Sequence, residues 1–238
     1  MASRTVPVPC DDAVSMPLHV WVPAGGSGPG IVLIQEIFGV GPYIRSVAQR
    51  LADAGYVVGA PEVFWRFAPG WEAAHDEEGL EASLAKVGEL DPATAAADCA
   101  RALGVLGELD EVTGTPGVMG FCLGGTLAWS VAAGAEPAVC VSYYGSGVPQ
   151  MLDQVDEVTC PTLFHFGNAD AYIPNDGVEA LNAAIDGRPN FVLNVENAGH
   201  AFDNHESEMF HVESAANAAW AKTMAFLDRH LPCLLYTS

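Results

Sequence analysis

The chain has 238 residues, half of them hydrophobic, which is enough for one domain with a sizeable core. Its formal charge of −21, from 30 acidic residues against 9 basic ones, repels nucleic acid and anionic membranes. Six scattered cysteines (Cys10, Cys99, Cys122, Cys140, Cys160, Cys233) have no C-x-x-C spacing, and there is no apolar leader or membrane-length run, so a reducing cytoplasm and a monomer are expected.

Met16 to Val22 alternates Leu18, Val20 and Val22 against His19 and Trp21, an outer strand ended by Pro23. Ile31-Val32-Leu33-Ile34 is all apolar, as in a strand buried on both faces of a parallel sheet. A helix opens at Gly41-Pro42, with Ile44, Val47, Ala48, Leu51 and Ala52 on one face, and stops at Gly55. Tyr56 to Ala60 is the next strand, followed by an aromatic stretch holding Phe64, Trp65, Arg66 and Phe67. His75 to Leu90 reads as an acidic helix, and Asp91-Pro92 caps an Ala-rich one reaching about Leu109.

Val118 to Phe121 is a short buried strand, and Thr126 to Ala133 a helix stopped by Gly134. Strands follow at Ala138–Tyr143, Thr162–Phe166 and Phe191–Val195, with a helix at Val178–Ile185 and a last helix from about Ser207 to His230. This alternation predicts a single α/β domain over residues 1–232, with a mostly parallel central sheet and helices on both faces. The tail from Cys233 to Ser238 follows Leu231-Pro232, does not continue the helix, and reads as a non-native end resembling translated adapter sequence.

The chemistry centres on Gly120-Phe121-Cys122-Leu123-Gly124-Gly125, a nucleophile-elbow pattern with sulfur in place of the hydroxyl. A strand turning directly into a helix brings backbones together and lifts the central side chain to the helix N-terminus, where dipole and free N–H groups favour negative charge. Read by itself, Cys122 could equally be a buried structural cysteine. Its partners decide. In an open α/β sheet, functional residues collect beyond the carboxyl ends of strands, and Glu36, Cys122, Asp170 and His200 all fall there. Cys122, Asp170 and His200 occur in the order nucleophile, acid, histidine. In that reading Cys122 attacks a carbonyl, His200 relays the proton and Asp170 orients the imidazole, while the N–H groups of Leu123 and Ile37 form an oxyanion hole.

Each residue has a plainer alternative. Asp170 suits an Asx turn, with Asp176 and Asp153 as weaker substitutes for the acid, and His205 and His211 compete with His200. His205-Glu206 resembles the start of a zinc helix, but H-E-x-x-H needs its second histidine where Met209 stands, so no metal and no cofactor is expected. A different class of function, a redox-sensing or binding protein using Cys122 reversibly, would need no Asp170–His200 pair.

Gln35-Glu36-Ile37-Phe38-Gly39, the elbow, Tyr143-Tyr144-Gly145, the Gly167 to Asp170 loop and Ala198-Gly199-His200 together resemble the dienelactone hydrolase family, from about Met16 to Arg229. The resemblance implies an α/β-hydrolase fold, a Cys122–Asp170–His200 triad with Glu36 contacting the resting thiol, and cofactor-independent hydrolysis of small esters or lactones. It also exposes two departures. Family members acting on dienelactone carry arginines that grip the substrate carboxylate, where this chain has Asp203-Asn204 and the acidic segment Asp76 to Glu81. The expected substrate is therefore neutral or only weakly anionic, in a pocket lined by Phe38, Phe64, Tyr143 and Tyr144, with Arg66 as the one nearby cation that could hold an anion.

Overall fold

The computed structural model describes residues 4–10 and 14–233. Its strands are β1 (Arg4–Pro9), β2 (Ser15–Trp21), β3 (Gly28–Ile34), β4 (Val57–Pro61), β5 (Val112–Phe121), β6 (Cys140–Tyr143), β7 (Thr162–Gly167) and β8 (Phe191–Glu196). They form one sheet in the order β1-β2-β4-β3-β5-β6-β7-β8. The β1–β2 and β2–β4 pairs are antiparallel and the remaining pairs parallel.

Successive side chains of a strand point to opposite faces, yet Ile31, Val32, Leu33 and Ile34 are all 0% exposed, so both faces of the sheet are covered. One layer holds α1 (Pro42–Asp53), packed on β2 and β4, and α6 (Glu213–His230), packed on β7 and β8. The two are joined where the Arg50 guanidinium lies 3.8 Å over the Trp220 ring. The other pairs α3 (Pro92–Gly107) with α4 (Leu123–Ala135), against β3, β5 and β6. The expected α/β-hydrolase architecture is the one that folds. Two shorter helices, α2 (Glu77–Val87) and α5 (Asn175–Ile185), complete the described chain apart from 3-10 turns.

Several boundaries differ from the sequence reading, β5 beginning at Val112 instead of Val118 among them, and three of the differences have a plain physical reason. β1, at the sheet edge, is not foreseen because Pro7 and Pro9 interrupt its pattern, and an edge strand tolerates their missing N–H groups. α4 passes Gly134 and ends at Glu136, whose left-handed φ of 46° closes the helix before Pro137. α6 starts at Glu213 because the preceding segment is drawn back onto the loop beyond β8. There the Phe202 carbonyl accepts hydrogen bonds from the Val212 N–H (3.0 Å) and the His211 ring (3.1 Å). Cys233, read as the start of a detached tail, packs against Gly55 and Tyr56, while residues 234–238 lie outside the described residues.

Candidate active site

Cys122 joins β5 to α4 with φ 53° and ψ −114°, a backbone state that costs roughly 1–3 kcal/mol and persists only where its surroundings enforce it. Close backbone approach enforces it here. A Cβ on Gly120 would lie 2.0 Å from the Gly124 carbonyl oxygen, and one on Gly124 would lie 2.2 Å from that of Ile34. The Cys122 N–H donates to the Tyr143 carbonyl (3.0 Å) and its own carbonyl accepts from Thr126 (3.2 Å). Its side chain lines a cavity shared with Leu123 and Ile37. As the first residue of α4, Leu123 has an N–H without an intrahelical acceptor.

The loops beyond β7 and β8 bring in the acid and the histidine. His200 Nε2 lies 3.1 Å from Cys122 Sγ, and Nδ1 lies 2.7 Å from Asp170 Oδ2. The other Asp170 oxygen accepts from the N–H groups of Tyr172 (2.8 Å) and Ile173 (3.1 Å), so the carboxylate is fixed at both ends. With the carboxylate accepting, Nδ1 carries the hydrogen and Nε2 faces the sulfur. The imidazole is flanked by the Tyr144 and Tyr172 rings, at centroid distances of 5.2 and 5.1 Å. Burial alone would lower its pKa, but the negative charges of Cys122 and Asp170 outweigh burial and push it up to about 10.

Glu36, just past β3, is 1% exposed. Its oxygens accept from Asn204 Nδ2 at 3.0 and 3.2 Å, and Oε1 lies 3.0 Å from His75 Nε2. The Asn204 amide is oriented by the Glu206 N–H, which donates to Oδ1 (3.0 Å), and the Phe38 ring meets His75 edge-on at 4.4 Å. Burial pushes the Glu36 carboxyl up, and hydrogen bonds and charge from His75 with the Asn204 bond oppose that shift. The implied contact between Glu36 and the thiol is thus replaced by another arrangement. The carboxylate turns to His75 and Asn204, and the sulfur faces His200. Sequence reasoning missed both partners; the available signal was only that a carboxylate directly after a buried strand needs donors.

The cavity has a volume of about 150 Å³, with Cys122, His200 and Glu36 at its wall. Phe38 lines it as expected, but four other pocket residues expected from the sequence do not. Phe64 is buried in the core against Phe67. The Tyr143 hydroxyl is 2.7 Å from Thr223 Oγ1, and that of Tyr144 is 3.3 Å from the Tyr43 hydroxyl. Arg66 donates to both oxygens of buried Asp98, at 2.9 and 3.0 Å, and lies 4.5 Å over the Trp65 ring, because that buried carboxylate needs its cation. The wall is built instead by Leu80, Leu84 and Val87 of α2, with Tyr172 and Phe210. Spacing of four and then three residues marks these α2 positions as one apolar stripe on a helix whose acidic residues drew attention first. Among the described residues, no group of three or more His, Cys, Asp or Glu side chains could hold a metal ion, and no helix is long and apolar enough to cross a membrane.

A strand–cysteine–helix elbow on a mostly parallel eight-stranded sheet, with an acid and a histidine delivered by later strand ends, defines an α/β-hydrolase. The model of the dienelactone hydrolase family matches residues 17–231, and the chain belongs to that family, a hydrolase of esters or lactones. It is similar to a carboxymethylenebutenolidase of Pseudomonas sp., 33% identical over 215 residues that cover 90% of each chain. The carboxymethylenebutenolidase of Rhodococcus opacus is 34% identical over 218 residues, 87% of this chain and 83% of that one. Among solved structures, a candidate dienelactone hydrolase of Klebsiella pneumoniae superimposes with a TM-score of 0.81, at 27% identity, over 96% of this chain and 98% of that one.

Proposed function

We propose that the chain hydrolyses small esters or lactones through a thioester acyl-enzyme built on Cys122. The observation that carries this reading is the unbroken line Cys122 Sγ–His200 Nε2 (3.1 Å) and His200 Nδ1–Asp170 Oδ2 (2.7 Å) at the wall of the cavity. The sulfur, its proton held by His200, attacks the substrate carbonyl carbon. The carbonyl oxygen takes the negative charge, opposite the N–H groups of Leu123 and Ile37. Collapse breaks the bond to the alcohol oxygen, which takes the proton from Nε2. His200 then draws a proton from water, the hydroxide adds to the thioester, and the acid leaves as sulfur recovers its starting state. For a lactone the alcohol stays on the acyl group, so ring opening and acylation are one step.

Asp170, held by two backbone N–H groups, keeps the imidazole in this tautomer and stabilises its protonated form. The relatives are named for the hydrolysis of a butenolide, and the same elbow chemistry would open such a ring here. Nothing in the family or its relatives favours thiol sensing. The test is turnover of p-nitrophenyl acetate by Cys122→Ala. Loss of hydrolysis with an unchanged circular dichroism spectrum is expected, and a variant as fast as the parent would end the proposal.

A further inference from the structure

The cavity wall carries an inference about what enters it. Among the described residues lining it, none is a lysine or arginine. The cations closest in the chain are committed elsewhere: Arg66 to Asp98, Arg45 to Glu72, and Lys86 to Glu89 while lying 5.8 Å over Trp71. His200 is the one cationic group in the wall, and its two ring nitrogens are engaged by Cys122 and Asp170. Glu36 adds a buried carboxylate to the same wall. Apart from Ser146, whose single hydroxyl is the one neutral polar side chain there, the rest of the lining is apolar or aromatic, with Leu80, Leu84 and Val87 joined by Phe38 and Phe210.

We propose that this site takes uncharged esters or lactones bearing a phenyl-sized apolar group seated against α2, and discriminates against analogues that carry a carboxylate. The inference rests on the Cys122 reaction proposed above and adds to it the class of substrate. Two effects act in the same direction. A carboxylate entering the cavity loses water and finds no bidentate donor, a desolvation left without compensation. Before that, it meets exposed Glu77, Glu78 and Glu81 of α2, on a molecule of formal charge −21, which slows its encounter. A cavity of about 150 Å³ matches the size of an apolar protein cavity that accepts benzene, which sets the scale of the group it holds.

The experiment compares kcat/KM for para-acetylphenyl acetate and para-carboxyphenyl acetate, which are similar in shape and differ in charge. Each value is divided by the uncatalysed hydroxide rate of that ester. The parent is expected to favour the neutral ester by about a hundredfold, the consequence of leaving a desolvated charge unpaired. Leu84, 50% exposed at the rim, is the place to supply the missing cation. Leu84→Arg should reduce the preference by up to about fivefold, the worth of one partly exposed ion pair, whereas Leu84→Gln should leave it unchanged. Cys122→Ala is run alongside with both esters. Cys122-dependent hydrolysis that favours the anion, or a preference that Leu84→Arg does not move, overturns the substrate inference alone. Hydrolysis that survives in Cys122→Ala overturns the reaction beneath it.

Discussion

At Glu36 a buried carboxylate has its hydrogen bonds satisfied by two side chains, and this sets how Cys122 behaves at rest. Because His75 and Asn204 occupy the carboxylate, His200 is the partner of the sulfur before any substrate arrives. Alkylation of Cys122 by iodoacetamide is therefore expected to be fast at neutral pH. His75→Ala should slow it several-fold by leaving Glu36 held by Asn204 alone, since a carboxylate freer to approach the sulfur opposes the thiolate. The same change should lower the urea midpoint, because removing one hydrogen-bond partner of a buried polar group costs about 1–3 kcal/mol. Labelling at equal rates in parent and variant would remove His75 and Glu36 from control of the nucleophile. That Cys122, Asp170 and His200 would come together was legible in the sequence, because each follows an apolar strand in a recognisable order. His75 and Asn204 were not, because their pairing with Glu36 is a long-range contact that no local pattern reports.

The elements show the same division. The strand–elbow–helix unit could be read directly, since three glycines around Cys122 leave little else for that stretch to form. At Gly124 an added Cβ would meet the Ile34 and Gln35 carbonyl oxygens at 2.2 and 2.5 Å, both of them rigid backbone. Gly124→Ala should therefore cost about 3 kcal/mol or more and displace the nucleophile, with thermal unfolding and p-nitrophenyl acetate turnover both falling. An alanine variant with parent stability would contradict the close packing of the elbow on β3. α2 was harder to read. Its composition announces a solvated acidic helix, while its stripe of Leu80, Leu84 and Val87 forms one side of the cavity. The aromatic residues after β4 had the opposite fate. Phe64 packs into the core, and Arg66 serves Asp98, since burial claims large side chains wherever the sheet needs cover.

For the whole molecule, the buried His200–Asp170 pair links the proposed chemistry to stability. His200 has a folded pKa of about 10, above its ordinary value of 6.5, so it binds a proton in the folded state that the unfolded chain releases. Its contribution to stability is fully present below pH 6.5 and is lost as pH rises through about 10. Urea midpoints compared at those two limits should fall more in the parent than in His200→Ala; an identical fall in both would place the imidazole outside the pH response. The central claim concerns the bond formed at Cys122, and acid-quenched mass spectrometry of the enzyme mixed with p-nitrophenyl acetate measures it most directly. The proposed reaction predicts one acetyl group on the peptide containing Cys122 within the first turnover, accumulating in the parent and absent from Cys122→Ala. Turnover with no acyl group on that peptide, or an acyl group on another side chain, would contradict it.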